Sequence, residues 1–263
     1  MSHVRPHTPR GRAMSPRITG AIAGRVFAQL RHDHRTTAML LVVPAVILTL
    51  LWWMFEDKGP GFDSLGPPLL ALIPFIVMFL VTSVTTLRER SSGTLERLLA
   101  MPTGKLDVLG GYALAFGVVA AVQSAIAVLL CVWVLGLEVA GPVWMLTVVA
   151  VTDAVLGSAL GLFVSAFART EFQAVQFMPL IVIPQILLCG LFIDRDLMPP
   201  VLGAISDLLP LSYAVDAMTT VSTTTSDAFG GVDTSVWGDL AVVAAFAVAA
   251  LALGAATLRR RTA

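Results

Sequence analysis

Long hydrophobic runs separated by short polar segments make up most of the chain. A helix needs about 20 apolar residues to cross the roughly 30 Å hydrocarbon core of a bilayer. Runs near or beyond that length cover about residues 38–55, 66–87, 108–137, 143–167, 172–193 and 236–258. They are continuously apolar rather than alternating, which favours helices over a membrane β-barrel. The pattern predicts an all-α polytopic membrane protein with six transmembrane helices over residues 38–258.

Composition narrows the class of protein further. Of the 263 residues, 57% are hydrophobic and 13% are charged, whereas a soluble domain has about 25% charged residues. This composition excludes an ordinary soluble protein and an intrinsically disordered one. The two cysteines, Cys131 and Cys189, lie within apolar runs. We predict that they are buried apolar side chains and not part of a disulfide or metal site.

The basic residues are unevenly distributed, although the net charge of the chain is zero. Of the 17 basic residues, 15 lie on the side of the predicted membrane that holds both termini, and only Lys58 and Arg195 lie on the other. The positive-inside rule places the basic side in the cytoplasm. Arginine greatly outnumbers lysine, and Ala, Val and Gly are abundant, which is typical of a high-GC bacterium. We therefore expect a multi-pass protein of the bacterial plasma membrane with both termini cytoplasmic.

The segments that flank the six runs have different characters. Residues 1–16 are polar and basic, which predicts a flexible cytoplasmic tail, and residues 259–263 form a second basic tail. In residues 17–37, apolar side chains recur every four positions from Ile18 to Leu30. This spacing predicts an amphipathic helix on the inner membrane surface, in contact with lipid. The alternative is a cytoplasmic helix packed against its own protein.

The connection between the fifth and sixth runs is the longest. Its apolar stretch, residues 197–211, is interrupted by Pro199, Pro200, Asp207 and Pro210, and is too short to span. We expect short helices that lie at the outer leaflet or dip into it as re-entrant segments.

The polar segment 88–107 joins the second and third runs. Leu95, Leu98 and Leu99 form an apolar helical face, with Ser91 or Ser92 available to cap the helix start and Pro102 to end it. A short amphipathic helix in this place suits the docking of a soluble partner. The alternative is an ordinary surface loop.

A few polar residues interrupt the runs. Asp153 lies in the middle of the fourth run, and a carboxyl group inside a membrane suggests either a substrate or proton site or a hydrogen bond between helices. Gln123 is a candidate partner for it. Gln176 and Gln185 lie on the fifth run. Three interpretations are open: they line a substrate pathway, they contact a neighbouring subunit, or they lie at the inner interface between membrane and water. Gly157 and Gly161 form a GxxxG motif that permits close helix approach.

Sequence signatures of several other functions are missing. The chain has no GxxxxGK[ST] phosphate loop, HExxH metal pair or GxSxG elbow. We therefore expect no ATP binding by that loop, no bound cofactor or metal, and no catalysis by the chain itself. A basic surface interleaved with aromatic residues, as nucleic-acid binding requires, is also missing.

Two stretches resemble a known family. Residues 88–102, RERSSGTLERLLAMP, resemble its E-x-x-x-GTLE-x-LL-x-x-P segment, and residues 188–192, 197–200 and 209–217 resemble its ending. The family is the permease subunits of ABC-2 type transporters, particularly bacterial drug and antibiotic exporters of the daunorubicin-resistance permease type. This chain departs from the pattern in having Cys189 in place of a frequent Ser and Asp194 in place of a frequent Pro.

The resemblance implies a transport mechanism and its partners. A separate nucleotide-binding subunit would use ATP and Mg, and a second permease chain, identical or homologous, would complete the pathway. The substrate would be an amphipathic drug, antibiotic or lipid, exported from the cytoplasm or inner leaflet. The ATPase-coupling residues would be Glu89, Gly93, Thr94, Leu95, Glu96, Arg97, Leu98 and Leu99. The candidate substrate-pathway residues are Gln123, Asp153, Gln176 and Gln185.

Two alternative functions stay open at this point. An ion-coupled secondary transporter could use Asp153 and would need no ATPase. A permease of the same superfamily that exports polysaccharides or lipid-linked glycans would share the coupling segment.

Overall fold

A computed structural model describes residues 15–55, 61–94, 104–225 and 229–257. Within these ranges the chain forms helices, turns and short connections, and no strand. The α-helices are α1 (Pro16–His32), α2 (His34–Phe55), α3 (Gly61–Ser91), α4 (Lys105–Leu129), α5 (Val143–Ser165), α6 (Glu171–Leu188), α7 (Pro200–Ser206), α8 (Pro210–Thr223) and α9 (Thr234–Thr257). A π-helical turn, Leu130–Val134, prolongs α4.

Six of these helices are long and apolar enough to cross a membrane, which confirms the predicted six-span, all-α class. The spans are Thr36–Phe55 in α2, the whole of α3, Leu106–Val134 in α4 and its π-helical turn, and the whole of α5, α6 and α9. One difference from the predicted boundaries is in α3, which continues through Arg88, Glu89 and Arg90 instead of ending before them. Basic side chains are favourable in the last turn of a helix because they face the negative end of its dipole.

The bundle is built around the contact between α3 and α5. Gly157 and Gly161 of the GxxxG motif bring the two backbones together, because a Cβ atom at either position would lie 2.5 Å from a carbonyl oxygen of α3, that of Phe75 or Phe79 respectively. Side chains of both helices, such as Leu70, Phe75 and Leu156, are fully buried. The predicted close approach of helices at this motif is confirmed.

The apolar face of α1 packs against α4 of the same chain. Ile22, Val26 and Leu30 are buried in one cluster with Val108 and other α4 side chains. At Gly111 of α4 an added Cβ would lie 2.6 Å from the Ile22 side chain. The helix is amphipathic, as the spacing predicts, but protein and not lipid covers its apolar stripe. That α1 lies at the membrane surface remains a prediction.

The connection between α6 and α9 contains two short helices, as predicted. The axes of α7 and α8 meet at 88°. Ser206, at the end of α7, donates a 2.7 Å hydrogen bond to the carbonyl oxygen of Leu188 and contacts the Ser212 hydroxyl at 3.0 Å. These bonds satisfy a carbonyl at the C-terminus of α6, where the helix supplies no donor of its own. How deeply the pair enters the bilayer remains a prediction.

The two ends of the bundle differ in charge. The basic end holds α1, the C-termini of α3 and α5 and the N-termini of α4 and α6, with Arg25, Arg88 and Arg90. The acidic end holds the opposite helix ends together with α7 and α8, and carries Asp194, Asp207 and other carboxylates. The positive-inside rule would place the basic end in the cytoplasm, and this orientation stays a prediction.

Candidate functional site

The last turn of α3 is tied to several other helices at the basic end. Arg88, Glu89 and Arg90 are consecutive, and since a helix turns by about 100° per residue their side chains leave α3 in three directions. The turn ends at Gly93, whose N–H donates to the Arg90 carbonyl at 3.1 Å. Gly93 has a φ of 72°, a left-handed conformation that favours glycine.

Glu89 is the buried member of this turn, with 3% of its surface exposed. Its Oε2 atom accepts hydrogen bonds from Arg25 Nη2 of α1, at 2.9 Å, and from the hydroxyl of Tyr112 of α4. Arg25 Nη2 also donates to the Tyr112 hydroxyl oxygen at 3.2 Å. Burial disfavours the charge of Arg25, but the hydrogen bond and negative charge of Glu89 outweigh it and raise the pKa of Arg25 above its ordinary value. The three side chains therefore join α1, α3 and α4.

The arginines on either side of Glu89 contact other elements. Arg88 forms an exposed ion pair with Glu171 at the start of α6, with an N···O distance of 3.1 Å, and approaches Asp33 at 4.0 Å. Arg90 donates a 2.8 Å hydrogen bond to the carbonyl oxygen of Ser165 at the end of α5. The last turn of α3 thus contacts α1, α4, α5 and α6 through side chains of three successive residues.

A second contact links α1 to α4. Asp107, in the first turn of α4, accepts hydrogen bonds from the backbone N–H of Ser15 at 2.6 Å and the hydroxyl of Thr19 at 3.3 Å. It also accepts from the backbone N–H of Gly104 at 3.0 Å, which satisfies a donor at the helix start. The start of α1 and the start of α4 are therefore held together through Asp107.

The predicted coupling residues are only partly described. Glu89, Gly93 and Thr94 lie within the described residues; Leu95, Glu96, Arg97, Leu98 and Leu99 lie outside them. The helix that Ser91 or Ser92 is predicted to cap lies outside the described residues, so the capping role stays a prediction. Their hydroxyls donate to the carbonyl oxygens of Arg88 and Glu89, at 2.9 Å and 3.1 Å, so they satisfy acceptors at the end of α3.

The candidate pathway residues separate into two groups. Asp153, Gln123 and Gln185 are buried inside the chain's own bundle, at 0%, 1% and 3% exposed. Gln176 is exposed on α6. The carboxyl oxygens of Asp153 and the amide atoms of Gln123 have no hydrogen-bond partner among the described residues. A bond between Asp153 and Gln123 is therefore not formed in this conformation.

The acidic end contains an open cavity of about 1010 Å³, which we call the vestibule. Its lining includes Asp194, Arg195, Asp196, Asp207, Asp216 and Asp239. The Arg195 guanidinium pairs with Asp207 and Asp216 and lies 5.1 Å from the centre of the Tyr213 ring. Arg195 therefore holds the segment after α6 against α7 and α8.

Sequence reasoning missed the roles of Arg25, Tyr112 and Arg195. Arg195 carried a detectable signal, because it is one of only two basic residues assigned to the acidic side. Arg25 and Tyr112 carried none, since their partner Glu89 is 64 and 23 residues away in sequence. Among the described residues no group of three or more His, Cys, Asp or Glu side chains could hold a metal ion.

Comparison with known proteins gives a consistent result. Residues 11–222 match the family described as "ABC-2 type transporter". The linearmycin resistance permease protein LnrN of Bacillus subtilis is 27% identical over 239 residues, which are 89% of this chain and 57% of the relative. The probable multidrug ABC transporter permease YbhR of Escherichia coli is 29% identical over 150 residues, 57% of this chain and 41% of the relative.

A eukaryotic protein also matches. ABC transporter G family member 20 of Dictyostelium discoideum is 26% identical over 156 residues, which are 59% of this chain and 21% of the relative. Across these three relatives the aligned chain spans between 21% and 57% of their length.

Proposed function

Because the chain belongs to the ABC-2 type transporter family, we propose that it is the permease subunit of an ATP-driven exporter. A separate nucleotide-binding subunit would bind and hydrolyse ATP with Mg, and this chain would supply the membrane pathway. The conversion of ATP hydrolysis into transport is a coupling free energy between two distant sites. It requires a contact surface for the ATPase and a mechanical connection from that surface to the spans.

The observation that carries the proposal is the network at the last turn of α3. Residues 92–103 follow this turn directly, and the turn contacts α1, α4 and α5 through Glu89 and Arg90. A force applied to residues 92–103 would therefore act on these three helices as well as on α3. We expect the ATPase to bind the apolar face of Leu95, Leu98 and Leu99, with the basic end in the cytoplasm.

Gln176 supports a second permease chain as a further partner. It is exposed on α6 among apolar side chains that include Val175 and Leu180. A glutamine amide facing hydrocarbon is costly, so polar groups inside a membrane usually face protein or water. We propose that a second copy or a homologous chain covers this face of α6, and that Gln176 lies beside the substrate pathway.

The substrate class is an amphipathic drug, antibiotic or lipid. The names of two relatives support it, one referring to linearmycin resistance and the other to a probable multidrug transporter. The vestibule gives such a molecule an exit at the acidic end. Asp153 would be reached only after the helices that bury it move.

The test is ATP-driven transport by the complex of this chain with its ATPase in proteoliposomes. Linearmycin and a fluorescent phospholipid are the probes. Gly93→Val should reduce transport per ATP hydrolysed, because valine is strained at a φ of 72° and the segment would be displaced. Gly61→Val is the matched control at the other end of α3, with a φ of 72° and equally open space. Equal transport by the two variants would refute the assignment of the coupling segment.

The same assay tests the alternative functions. An ATPase that co-purifies, with transport that requires ATP and no proton gradient, supports the exporter. Transport that follows a proton gradient, is lost in Asp153→Asn and needs no ATPase would instead identify a secondary transporter. ATP-dependent movement of a lipid-linked glycan, with neither probe transported, would identify a glycan exporter.

A further inference from the structure

Three polar side chains from three helices meet inside the basic end. Arg25 of α1 and Tyr112 of α4 both bind the same oxygen of Glu89, Oε2, and they also contact each other at 3.2 Å. The N···O distance between Arg25 and Glu89 is 2.9 Å. Each helix therefore contributes one side chain to a closed triangle of hydrogen bonds.

Burial excludes Glu89 as a surface contact for a partner protein. Its side chain is 4% exposed, whereas that of Arg25 is 35% exposed, and the whole of Tyr112 is 1% exposed. A docking residue would have to be accessible. Glu89 therefore acts on other residues of its own chain, although it lies only four positions before Gly93.

Stability alone is a weak reason for a buried ion pair, because apolar side chains of similar volume are often as stable or more so. This cluster is also incompletely bonded. Glu89 Oε1 and Arg25 Nε have no hydrogen-bond partner among the described residues. These two atoms can form hydrogen bonds in a second arrangement of the helices, so the cluster has a second conformation available that an apolar contact would not have.

The position of the cluster connects the start of the coupling segment to α1 and α4. Apart from the cluster, α1 and α4 are held together by Asp107 with Ser15 and Thr19 and by the contact of Ile22 with Gly111. Glu89 is the residue in the last turn of α3 that binds both. Arg88 differs in that its ion pair with Glu171 is exposed on both sides, at 57% and 50%. Exposed ion pairs of this kind contribute little to the free energy of folding.

We propose that Arg25, Glu89 and Tyr112 form a transmission joint, which passes movement of residues 92–103 to α1 and α4 as one unit. Glu89 is its positioning residue. The joint rests on the proposed function, since it needs an ATPase to move residues 92–103. It assigns a role in transport to two residues, Arg25 and Tyr112, that the sequence does not single out.

The test measures cysteine accessibility at the acidic end after residues of the joint are substituted at the basic end. A cysteine replaces Ser235, which lines the vestibule, and is labelled with a membrane-impermeant maleimide. The native Cys131 and Cys189 are both buried. The complex with the ATPase is reconstituted in nanodiscs, and the labelling rate is compared with and without ATP and vanadate. ATP hydrolysis is measured on the same samples.

The joint is removed by the double variant Arg25→Gln with Glu89→Gln, which leaves no unpaired buried charge. Tyr112→Phe is a milder variant that removes only the hydroxyl, and Arg88→Gln is the control in the same turn. In the unchanged joint we expect ATP and vanadate to change the labelling rate about fivefold or more, the lower end of typical coupling between sites. The double variant should show a change below about twofold while its ATP hydrolysis persists, and Tyr112→Phe should fall between them.

Each result supports or overturns the joint. Full nucleotide-dependent labelling in both the double variant and Tyr112→Phe, with the Arg88→Gln control also unchanged, would show that the cluster only holds the fold together. Equal losses in Arg88→Gln and the double variant would also overturn it. No nucleotide response with the joint unchanged would overturn the proposed function itself, and the joint with it.

Discussion

Replacing Gly157 with alanine tests whether the contact between α3 and α5 organises the bundle. The added Cβ would lie 2.5 Å from the carbonyl oxygen of Phe75, while ordinary contacts begin near 3.4 Å. The obstacle is backbone, which cannot rotate away as a side chain can. The two helices would therefore separate by roughly 0.9 Å, the difference between these distances.

The loss in the free energy of unfolding follows from that displacement. A gap of about 0.5–1 Å forfeits a quarter to a half of the dispersion energy of each contact across it. Overpacking of a filled core typically costs about 1–3 kcal/mol. Alanine is a better helix former than glycine by up to about 1 kcal/mol, which offsets part of this cost. We expect Gly157→Ala to lower the free energy of unfolding by about 1–2 kcal/mol.

Unfolding by sodium dodecyl sulfate in mixed micelles, followed by tryptophan fluorescence, measures this change. The matched control is Gly117→Ala in α4, where an added Cβ meets nothing within 4 Å. That variant should be as stable as the unaltered chain or slightly more stable, because it gains helix propensity without a clash. An unfolding midpoint for Gly157→Ala equal to or above that of Gly117→Ala would refute the packing argument.

Three further predictions concern other parts of the fold. Gly111→Ala should weaken the packing of α1 on α4, because the new Cβ would lie 2.6 Å from the Ile22 side chain. Trypsin should then cleave α1 faster than in the unaltered chain, and an unchanged rate of cleavage would contradict the contact. Ser206→Ala alone should lower the free energy of unfolding only slightly, because the Ser212 hydroxyl already lies 3.5 Å from the same acceptor, the Leu188 carbonyl oxygen, and can replace the lost donor. Removing both hydroxyls should lower the free energy of unfolding by about 1–2 kcal/mol. A loss in the double variant equal to the sum of the two single losses would contradict a shared acceptor. Hydrogen bonds from Ser235 lower the pKa of Asp233 in the folded protein. The stabilisation of the start of α9 should therefore be complete at neutral pH and be lost as the pH falls below about 3.9, the pKa of an unfolded aspartate. Hydrogen exchange of α9 as a function of pH measures this loss, and the pH response should be missing in Asp233→Asn.

Features that depend on neighbouring residues were predictable from the sequence. Six spans follow from the length of the apolar runs, because bilayer thickness sets the helix length. The close approach at Gly157 and Gly161 follows from their spacing on one helix face. The interrupted helices α7 and α8 follow from Pro200 and Pro210, since proline is favourable at the first helical position, where its missing N–H costs no hydrogen bond.

Features that depend on which helices meet were decided by the tertiary structure. Lipid and protein interior are both apolar, so hydropathy alone cannot distinguish a helix face that contacts lipid from one that contacts protein. The apolar face of α1 is an example: its spacing was compatible with a helix on the membrane surface or with one packed on its own protein, and α4 covers this face. The sequence does not distinguish its basic residues, yet among those that the structure describes in α1 it is Arg25 that pairs with the buried Glu89.

The sequence by itself thus determined that the chain spans a membrane six times and carries a polar segment between the second and third spans. Only the tertiary structure decided how that segment is connected to the bundle. Glu89, Arg25 and Tyr112 come from three separate helices, and their meeting depends on the packing angles and offsets of α1, α3 and α4. Those offsets are set by close contacts such as Ile22 with Gly111 and Phe75 with Gly157, each made between residues more than 80 positions apart in the chain.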